Sequence, residues 1–276
     1  MEKEKTDRIE RAKAVVRGAI CGDVIGSRYE FHSTKYYDFV LFNWYSRFTD
    51  DTVCTIAVTD ALISGEPFEV SLKKWCRRYP HAGYGGAFCR WFMSENTMPY
   101  GSWGNGSAMR VSSTGAFAKS AEEALELSGR SAAVTHNHPE GIKGAQSVAL
   151  AIFMALEGAS KQQIKDELEQ RFGYDLSRDY DRIKATYDFD VSCQGSVPEA
   201  IISFLASTDY ESAIRRAIAL GGDADTQAAI AGAIAAAFYG QIPDHILLEC
   251  MNRVDSDLKS VVERFDQVLE QRHGGE

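Results

Sequence analysis

At 276 residues and 45% hydrophobic, the chain is long enough to bury a full core and sits near the upper size for one domain, so a single domain over 1–276 is expected. A formal net charge of −9 argues against a broad nucleic-acid surface or a face for acidic membranes, since both partners require positive potential. A local phosphate pocket is still compatible with it. Cys21, Cys54, Cys76, Cys89, Cys193 and Cys250 lie scattered in apolar stretches with no C-x-x-C pair, which is the pattern of buried, reduced thiols and favours a cytoplasmic setting. The charged start, Met1 to Lys13, is neither a secretory signal nor an anchor, and no apolar run reaches the roughly 18 residues that span a bilayer.

Helical periodicity dominates the rest. Thr6 or Asp7 is placed to cap a helix through Ala12, Val15, Val16 and Ile20 that stops at Gly22. A second helix runs over 51–63 and ends at Gly65 before Pro67. Further helices are expected at 70–78, 85–93, 107–118, 121–135, 142–157, 161–172, 196–205, 210–220, 223–239, 243–252 and 257–271. Strand signals are sparse: only 38–44 and 186–191 have the β-branched and aromatic content to pair extended, and both could be loops. The sum is an all-α fold, a single helical bundle. Its irregular stretches, 25–49, 98–107 and 173–195, are long and rich in Gly, Ser, Asn and Trp, as binding loops are.

Two acidic clusters stand out near opposite ends, Thr49-Asp50-Asp51-Thr52 and Gly221-Gly222-Asp223-Ala224-Asp225-Thr226, each leading into an apolar, Ala-rich segment. Carboxylates and hydroxyls form a hard, oxygen-only ligand set that suits Mg2+ or Mn2+, and the absence of Cys and His from both clusters disfavours zinc. The simpler reading is helix capping, but a cap needs one oxygen side chain per helix rather than three or four. The segment Gly101-Ser102-Trp103-Gly104-Asn105-Gly106 brings backbone close to a ligand just before a helix start, which makes an anion site without net basic charge. Trp103 there offers an aromatic surface for a base or ribose, or simple packing. His136 and His138 are two residues apart, which does not place two metal ligands on one helical face, so a ligand hydrogen bond suits His136 better than zinc. The simpler reading of the segment is that Thr135 and Asn137 cap the helix restarting after Pro139, and for His138 that reading is an equal alternative. Glu30, between Tyr29 and Phe31, is a candidate for a perturbed pKa or metal ligation.

In order along the chain, G-x-x-x-G-D-x-x-G-S-x-Y-E-F, T-D-D-T, G-S-W-G-N-G-S-A-M-R, T-H-N-H-P-E-G and G-G-D-A-D-T-x-x-x-x-A-G-A-I-A resemble the ADP-ribosylglycohydrolase family, which includes the dinitrogenase reductase-activating glycohydrolases. The resemblance runs from about Gly18 to Tyr239. It implies an orthogonal all-helical bundle with two Mg2+ or Mn2+ ions in a central cleft, hydrolysing the bond between ADP-ribose and an acceptor. Carried over by position, Thr49, Asp50 and Asp51 would bind metal from one side, and Asp223, Asp225 and Thr226 from the other. Glu30 would contact a metal or the attacking water, Gly101, Ser102, Gly104, Asn105 and Gly106 would surround the diphosphate, and His136 would contact the ligand. The candidate catalytic carboxylates are then Glu30, Asp50, Asp51 and Asp225, with proton transfer open among them, and Trp103 or Tyr239 could carry the adenine. The partner implied is an ADP-ribosylated protein or an ADP-ribose-containing small molecule such as O-acetyl-ADP-ribose, and the acceptor is left open.

Two other readings compete. A prenyl-diphosphate enzyme needs carboxylates one helical turn apart, whereas Asp50 and Asp51 are adjacent and the following turn is apolar. A non-catalytic binding protein of the same fold would be marked by loss of the aspartates or Glu30, and all are present.

Overall fold

The first helix does not stop where the sequence suggested. In the computed structural model, which describes residues 2–274, α1 (Glu2–Gly26) begins before Thr6 and runs straight through Gly22. Gly18, Gly22 and Gly26 recur every four residues and therefore share one helical face. Against that face lies α13 (Ala224–Tyr239), so near that a Cβ on Gly22 would fall 2.1 Å from the Ala228 carbonyl oxygen. One on Gly18 would fall 2.6 Å from the Gly232 carbonyl oxygen, and one on Gly26 would fall 2.5 Å from Cα of Asp225. A helical glycine costs about 0.5–1 kcal/mol relative to alanine, and here each one permits backbone-to-backbone packing that no larger residue allows.

Buried without a break from Ala224 to Ala237, α13 is the central helix, as a helix that is apolar all round must be. It touches α8 (Pro139–Leu156), α11 (Cys193–Leu205) and α12 (Tyr210–Ala219) besides α1. A second group forms where α2 (Asp50–Ser64) packs on α3 (Phe68–Arg78) and α15 (Ser256–Gly274), fastened by buried Asp60, which accepts from Lys74, Trp75 Nε1 and Arg264. The helices α4 (Gly86–Met93), α7 (Ala121–Ala133), α9 (Lys161–Phe172) and α14 (Asp244–Asn252) match the expected spans closely.

Two further expectations fail, and one left open between strand and loop is resolved. The segment 107–118 is two helices, α5 (Gly106–Met109) and α6 (Ser112–Phe117), because Arg110 at the break turns its guanidinium inward to the Ser131 carbonyl and Thr135 Oγ1. A short helix, α10 (Tyr180–Thr186), capped by Asp179, lies in what read as loop. Neither 38–44 nor 186–191 is a strand: among the described residues, β pairing is confined to an isolated bridge between Gly104 and Ser192. Side chains satisfy the first segment's carbonyls, with Arg215 donating to Tyr37 and Phe39, Arg253 to Asn43 and Ser46, and the Tyr29 hydroxyl to Val40. No helix among the described residues is long and apolar enough to cross a membrane, and the six cysteines are unpaired.

Candidate functional site

The two acidic clusters meet. The first turns of α2 and α13 converge on a cleft of about 350 Å³ whose lining includes Glu30, Asp50, Asp51, Asp223, Asp225 and Thr226. Two sets of carboxylate oxygens each lie within 4.8 Å of one another, Asp23 with Asp51 and Asp225, and Glu30 with Asp223 and Asp225. Asp225 belongs to both.

At the start of α2, Thr49 is the N-cap: its Oγ1 accepts from the Asp51 N–H and donates to Asp23 Oδ1 at 2.7 Å. The other oxygen of Asp23 accepts from the N–H groups of Thr49 and Thr52, at 2.9 and 3.1 Å, and from the Thr52 hydroxyl. With four donors on two oxygens, Asp23 braces the turn that carries Asp50 and Asp51. Sequence reasoning missed this residue; the available signal was one carboxylate inside the apolar run Ile20 to Ile25. Asp51 Oδ1 is buried with no hydrogen-bond partner. An orphaned carboxylate oxygen inside a cluster of acids fits a site built for a cation, since burying it unpaired is otherwise costly.

The start of α13 is supported differently. Asp223 occupies the N-cap position but its side chain makes no cap; it accepts instead from Asn105 Nδ2 at 2.7 Å. Asp225 accepts from the Thr226 N–H at 2.9 Å, and Thr226 Oγ1 lies 3.4 Å from Asp51 Oδ2, where the two first turns touch. Capping therefore accounts for Thr49 and leaves the acids of α13 unexplained.

Burial raises every proton affinity in the cluster, and the crowding of like charges adds to it for Glu30, Asp50, Asp51 and Asp225. Burial, followed by the charge of Asp223, pushes Glu30 up to about 7, and burial followed by Asp23 pushes Asp50 up to about 8. Asp51 and Asp225 lie well above the usual carboxylate range, through burial and then through Asp23 and Asp51 respectively. Burial also raises Asp23 and Asp223. Like charges at this density oppose ionisation, and divalent cations would relieve the strain.

Of the predicted ligand loop, Ser102, Gly104, Asn105 and Gly106 line the cleft with His136, whereas Gly101 and Trp103 do not. Trp103 is exposed and meets His138 edge-on at 5.7 Å. The loop's N–H groups are largely committed: Gly101 to Asn137 Oδ1, Ser102 to the Thr135 carbonyl, Gly104 to Ser102 Oγ and Asn105 to the Val191 carbonyl. It is therefore a poorer backbone cradle for phosphate than its glycines suggested. Free donors come from a region that sequence reasoning passed over. Gly85, Gly86, Ala87 and Phe88 line the cleft at the start of α4, whose first N–H groups have neither intrahelical acceptors nor a side-chain cap. Arg110, also in the lining and 1% exposed, adds a positive charge there and has Nε unpaired. The legible signal for both was Gly83-Tyr84-Gly85-Gly86 and the arginine closing G-N-G-S-A-M-R.

His136 is buried, and burial with the Arg110 charge holds its pKa well below the ordinary value, so the ring is neutral. Thr135 Oγ1 already accepts from Arg110 and lies 2.7 Å from His136 Nδ1; we assign the hydroxyl as donor to an unprotonated Nδ1, which leaves Nε2–H as a donor over Gly104 and Gly106. The cap of α8 is neither Thr135 nor Asn137, as the sequence suggested, but His138, which accepts the Glu140 N–H at Nδ1; Asn137 accepts from the Gly101 N–H, and Thr135 Oγ1 is engaged with Arg110 and His136. Tyr239 lies outside the cleft, its hydroxyl 3.0 Å from Ser207 Oγ.

Fold and cleft together define an all-α protein with an acidic, oxygen-only site at the meeting of two helix N-termini, flanked by anion donors. A family model described as ADP-ribosylglycohydrolase matches residues 4–274, and the chain belongs to that family. It is similar to ADP-ribosylhydrolase ARH3 of Homo sapiens, at 28% identity over 91% of this chain and 92% of that protein. It is also similar to ADP-ribosylarginine hydrolase Tri1 of Pseudomonas putida, at 25% identity over 84% and 71%. A solved structure described as an ADP-ribosylglycohydrolase-related protein complex superposes with a TM-score of 0.71 over 95% of this chain and 99% of that one; at 21% identity it speaks for the fold.

Proposed function

We propose that this chain is a metal-dependent hydrolase of the glycosidic bond between ADP-ribose and an acceptor on a protein or small molecule. The observation that carries the reading is Asp225 shared between two carboxylate sets, beside the orphaned Asp51 Oδ1. Two divalent ions, Mg2+ or Mn2+, would be held by Thr49, Asp50 and Asp51 from α2 and by Asp223, Asp225 and Thr226 from α13. Bound there, they would supply Lewis acidity for orienting a ribose diol and polarising water.

The chain's own groups do the rest. Burial and the neighbouring acids raise Glu30, half-buried, to about 7 in the metal-free site; with divalent ions bound beside it that value would fall, leaving a carboxylate placed to take a proton from water. Once ionised against bound cations, the carboxylates around it would favour an oxocarbenium-like centre by their charge. The start of α4, Arg110 and the Nε2–H of His136 provide donors for the diphosphate, with Ser102, Gly104, Asn105 and Gly106 shaping the wall. Gly101 sets the loop's turn, and Trp103 offers an exposed ring for the adenine.

The test is release of free ADP-ribose from ADP-ribosyl-arginine, ADP-ribosyl-serine and O-acetyl-ADP-ribose, with and without EDTA. Release from at least one, abolished by chelation and restored by Mg2+ or Mn2+, is expected; full activity after exhaustive chelation overturns the metal role. Calorimetry separates the two ends of the ligand: ADP-ribose should bind more than about a hundredfold tighter than AMP, which lacks the second phosphate and terminal ribose. Tight ADP-ribose binding without hydrolysis of any substrate would identify a non-catalytic binding protein.

A further inference from the structure

Five residues past Glu30, Lys35 reaches out of the 27–49 loop to two helix ends at once. Its Nζ donates to the Tyr187 carbonyl at 2.6 Å and to the Leu220 carbonyl, the C-cap residues of α10 and α12. A cation answers the unpaired carbonyls and the negative dipole end of a helix C-terminus. One that serves two such ends holds them together.

Leu220 leads directly into the turn Gly221-Gly222-Asp223. Gly221 has a φ of +76°, in the left-handed region, and a Cβ there would lie 2.9 Å from Lys35 Cε, so the glycine makes room for the lysine stem. A Cβ on Gly222 would fall 2.4 Å from Tyr187 Cε1, and the Tyr187 hydroxyl accepts from Gln227 Nε2 on the first turn of α13. Lys35 and Tyr187 thus mould the turn that delivers Asp223 and Asp225. We propose that Lys35 is a positioning residue, which fixes the turn bearing Asp223 relative to the loop bearing Glu30 and so sets the spacing of the Glu30, Asp223 and Asp225 oxygens. This rests on the preceding reading of those carboxylates as metal and proton sites.

A purely stabilising role is separable, because the molecule contains a natural control. Lys161 Nζ donates to the Leu205 and Ser207 carbonyls at the end of α11, and it does not line the cleft. Lys35→Met, Lys35→Arg and Lys161→Met are compared by thermal melting, by Mn2+ calorimetry without substrate, and by kcat and KM for ADP-ribose release. Lys35→Met should weaken Mn2+ binding about tenfold or more, the scale seen when an outer-shell support of a metal site is lost, with kcat falling further than KM rises. Lys35→Arg should recover most of the affinity. Lys161→Met should lower the melting temperature and leave Mn2+ binding unchanged. If Lys35→Met does not fold, Lys35→Gln keeps most of the stem and a neutral donor but removes the charge, and should show a Mn2+ loss in the same direction. Unchanged Mn2+ affinity in the folded Lys35→Met or Lys35→Gln protein, or equal losses in Lys35→Met and Lys161→Met, overturns the positioning role while wild type still binds Mn2+ and releases ADP-ribose. If wild type does neither, the underlying reading falls and Lys35's role with it.

Discussion

The two acidic helix starts look alike in sequence and are anchored in opposite ways. Both rest on α1. The start of α2 is held by hydrogen bonds, through Asp23, to two backbone N–H groups and two hydroxyls, with Thr49 as a true N-cap. Against α1, the start of α13 is held by contact and not by side-chain hydrogen bonds: Gly26 lets Asp225 Cα approach to where a Cβ would be, and Asp223 leaves its cap position unserved to meet Asn105. One acidic motif is thus partly structural, and the other has its carboxylates freed for the cleft.

The largest effect should come from removing the shared carboxylate. Asp225→Ala is expected to lower ADP-ribose release by about 10²–10³ or more, the scale of losing one main electrostatic element of a site, with helical circular dichroism retained because Asp225 is not the N-cap of α13 and serves only the Thr226 N–H. Asp50→Ala should behave similarly. A variant that unfolds instead would return these residues to a structural role.

Next come the anchors. Gly26→Ala places a methyl against backbone that cannot give way, which costs on the order of 1–3 kcal/mol and shifts Asp225 with it. Asp23→Ala strands three buried donors, the N–H groups of Thr49 and Thr52 and the Thr52 hydroxyl, and leaves the Thr49 hydroxyl only a long contact to Asp51 Oδ2; it costs about 1–3 kcal/mol for each group left unsatisfied and should loosen Asp50 and Asp51. Melting temperature and Mn2+ affinity should fall together in both. Loss of stability alone in either would show that its anchor supports the fold and not the site.

Much of this was legible from residue pattern. The 3.6-residue period gave nearly all the helices, and the crowding of acids beyond what caps need marked both sides of the cleft. What escaped was long-range. Gly22 reads as a stop because glycine is a poor helix former, and only the backbone of α13 lying against it explains its place inside one. Asp23 reads as an incidental acid until α2 supplies its four donors. The break at Arg110 depends on Ser131 and Thr135, residues more than twenty positions away. The glycine loop drew attention through composition, yet its N–H groups are spent on Asn137, Thr135, Ser102 and Val191, contacts that composition does not reveal.

A smaller, collective effect is set by pH. Glu30 rises from 4.5 to about 7 and Asp50 from 3.8 to about 8, so both bind protons more tightly folded than unfolded. Their contribution is most favourable below about pH 4 and is lost as pH climbs through 7 to 8. The metal-free protein should therefore melt progressively lower between pH 5 and pH 8. Mg2+ or Mn2+ should restore stability, and more at pH 8 than at pH 5.5, because ions compete with protons for the same oxygens. A melting temperature of the metal-free protein that rises over this range would contradict the crowding.

The smallest effect divides the two threonines. Thr49 combines a cap with proposed metal ligation, whereas Thr226 Oγ1 has only weak contacts, at 3.4 Å to Asp51 and 3.8 Å to Met109 Sδ. Thr49→Ala should cost about 1 kcal/mol from the lost cap, roughly 2–4 °C in melting temperature for a chain of this size, and should also weaken Mn2+ binding. Thr49→Ser keeps the oxygen and should match wild type in both. Thr226→Val keeps the shape and should weaken Mn2+ binding while leaving the melting temperature of the metal-free protein within about 0.5 kcal/mol of wild type. If Thr49→Ala loses stability alone, the α2 side holds metal through Asp50 and Asp51 only, and Thr49 is a cap and nothing more. If Thr226→Val loses stability alone, the contrast between a hydrogen-bonded start and a contact-held one fails, because α13 would then depend on that hydroxyl as α2 depends on Thr49.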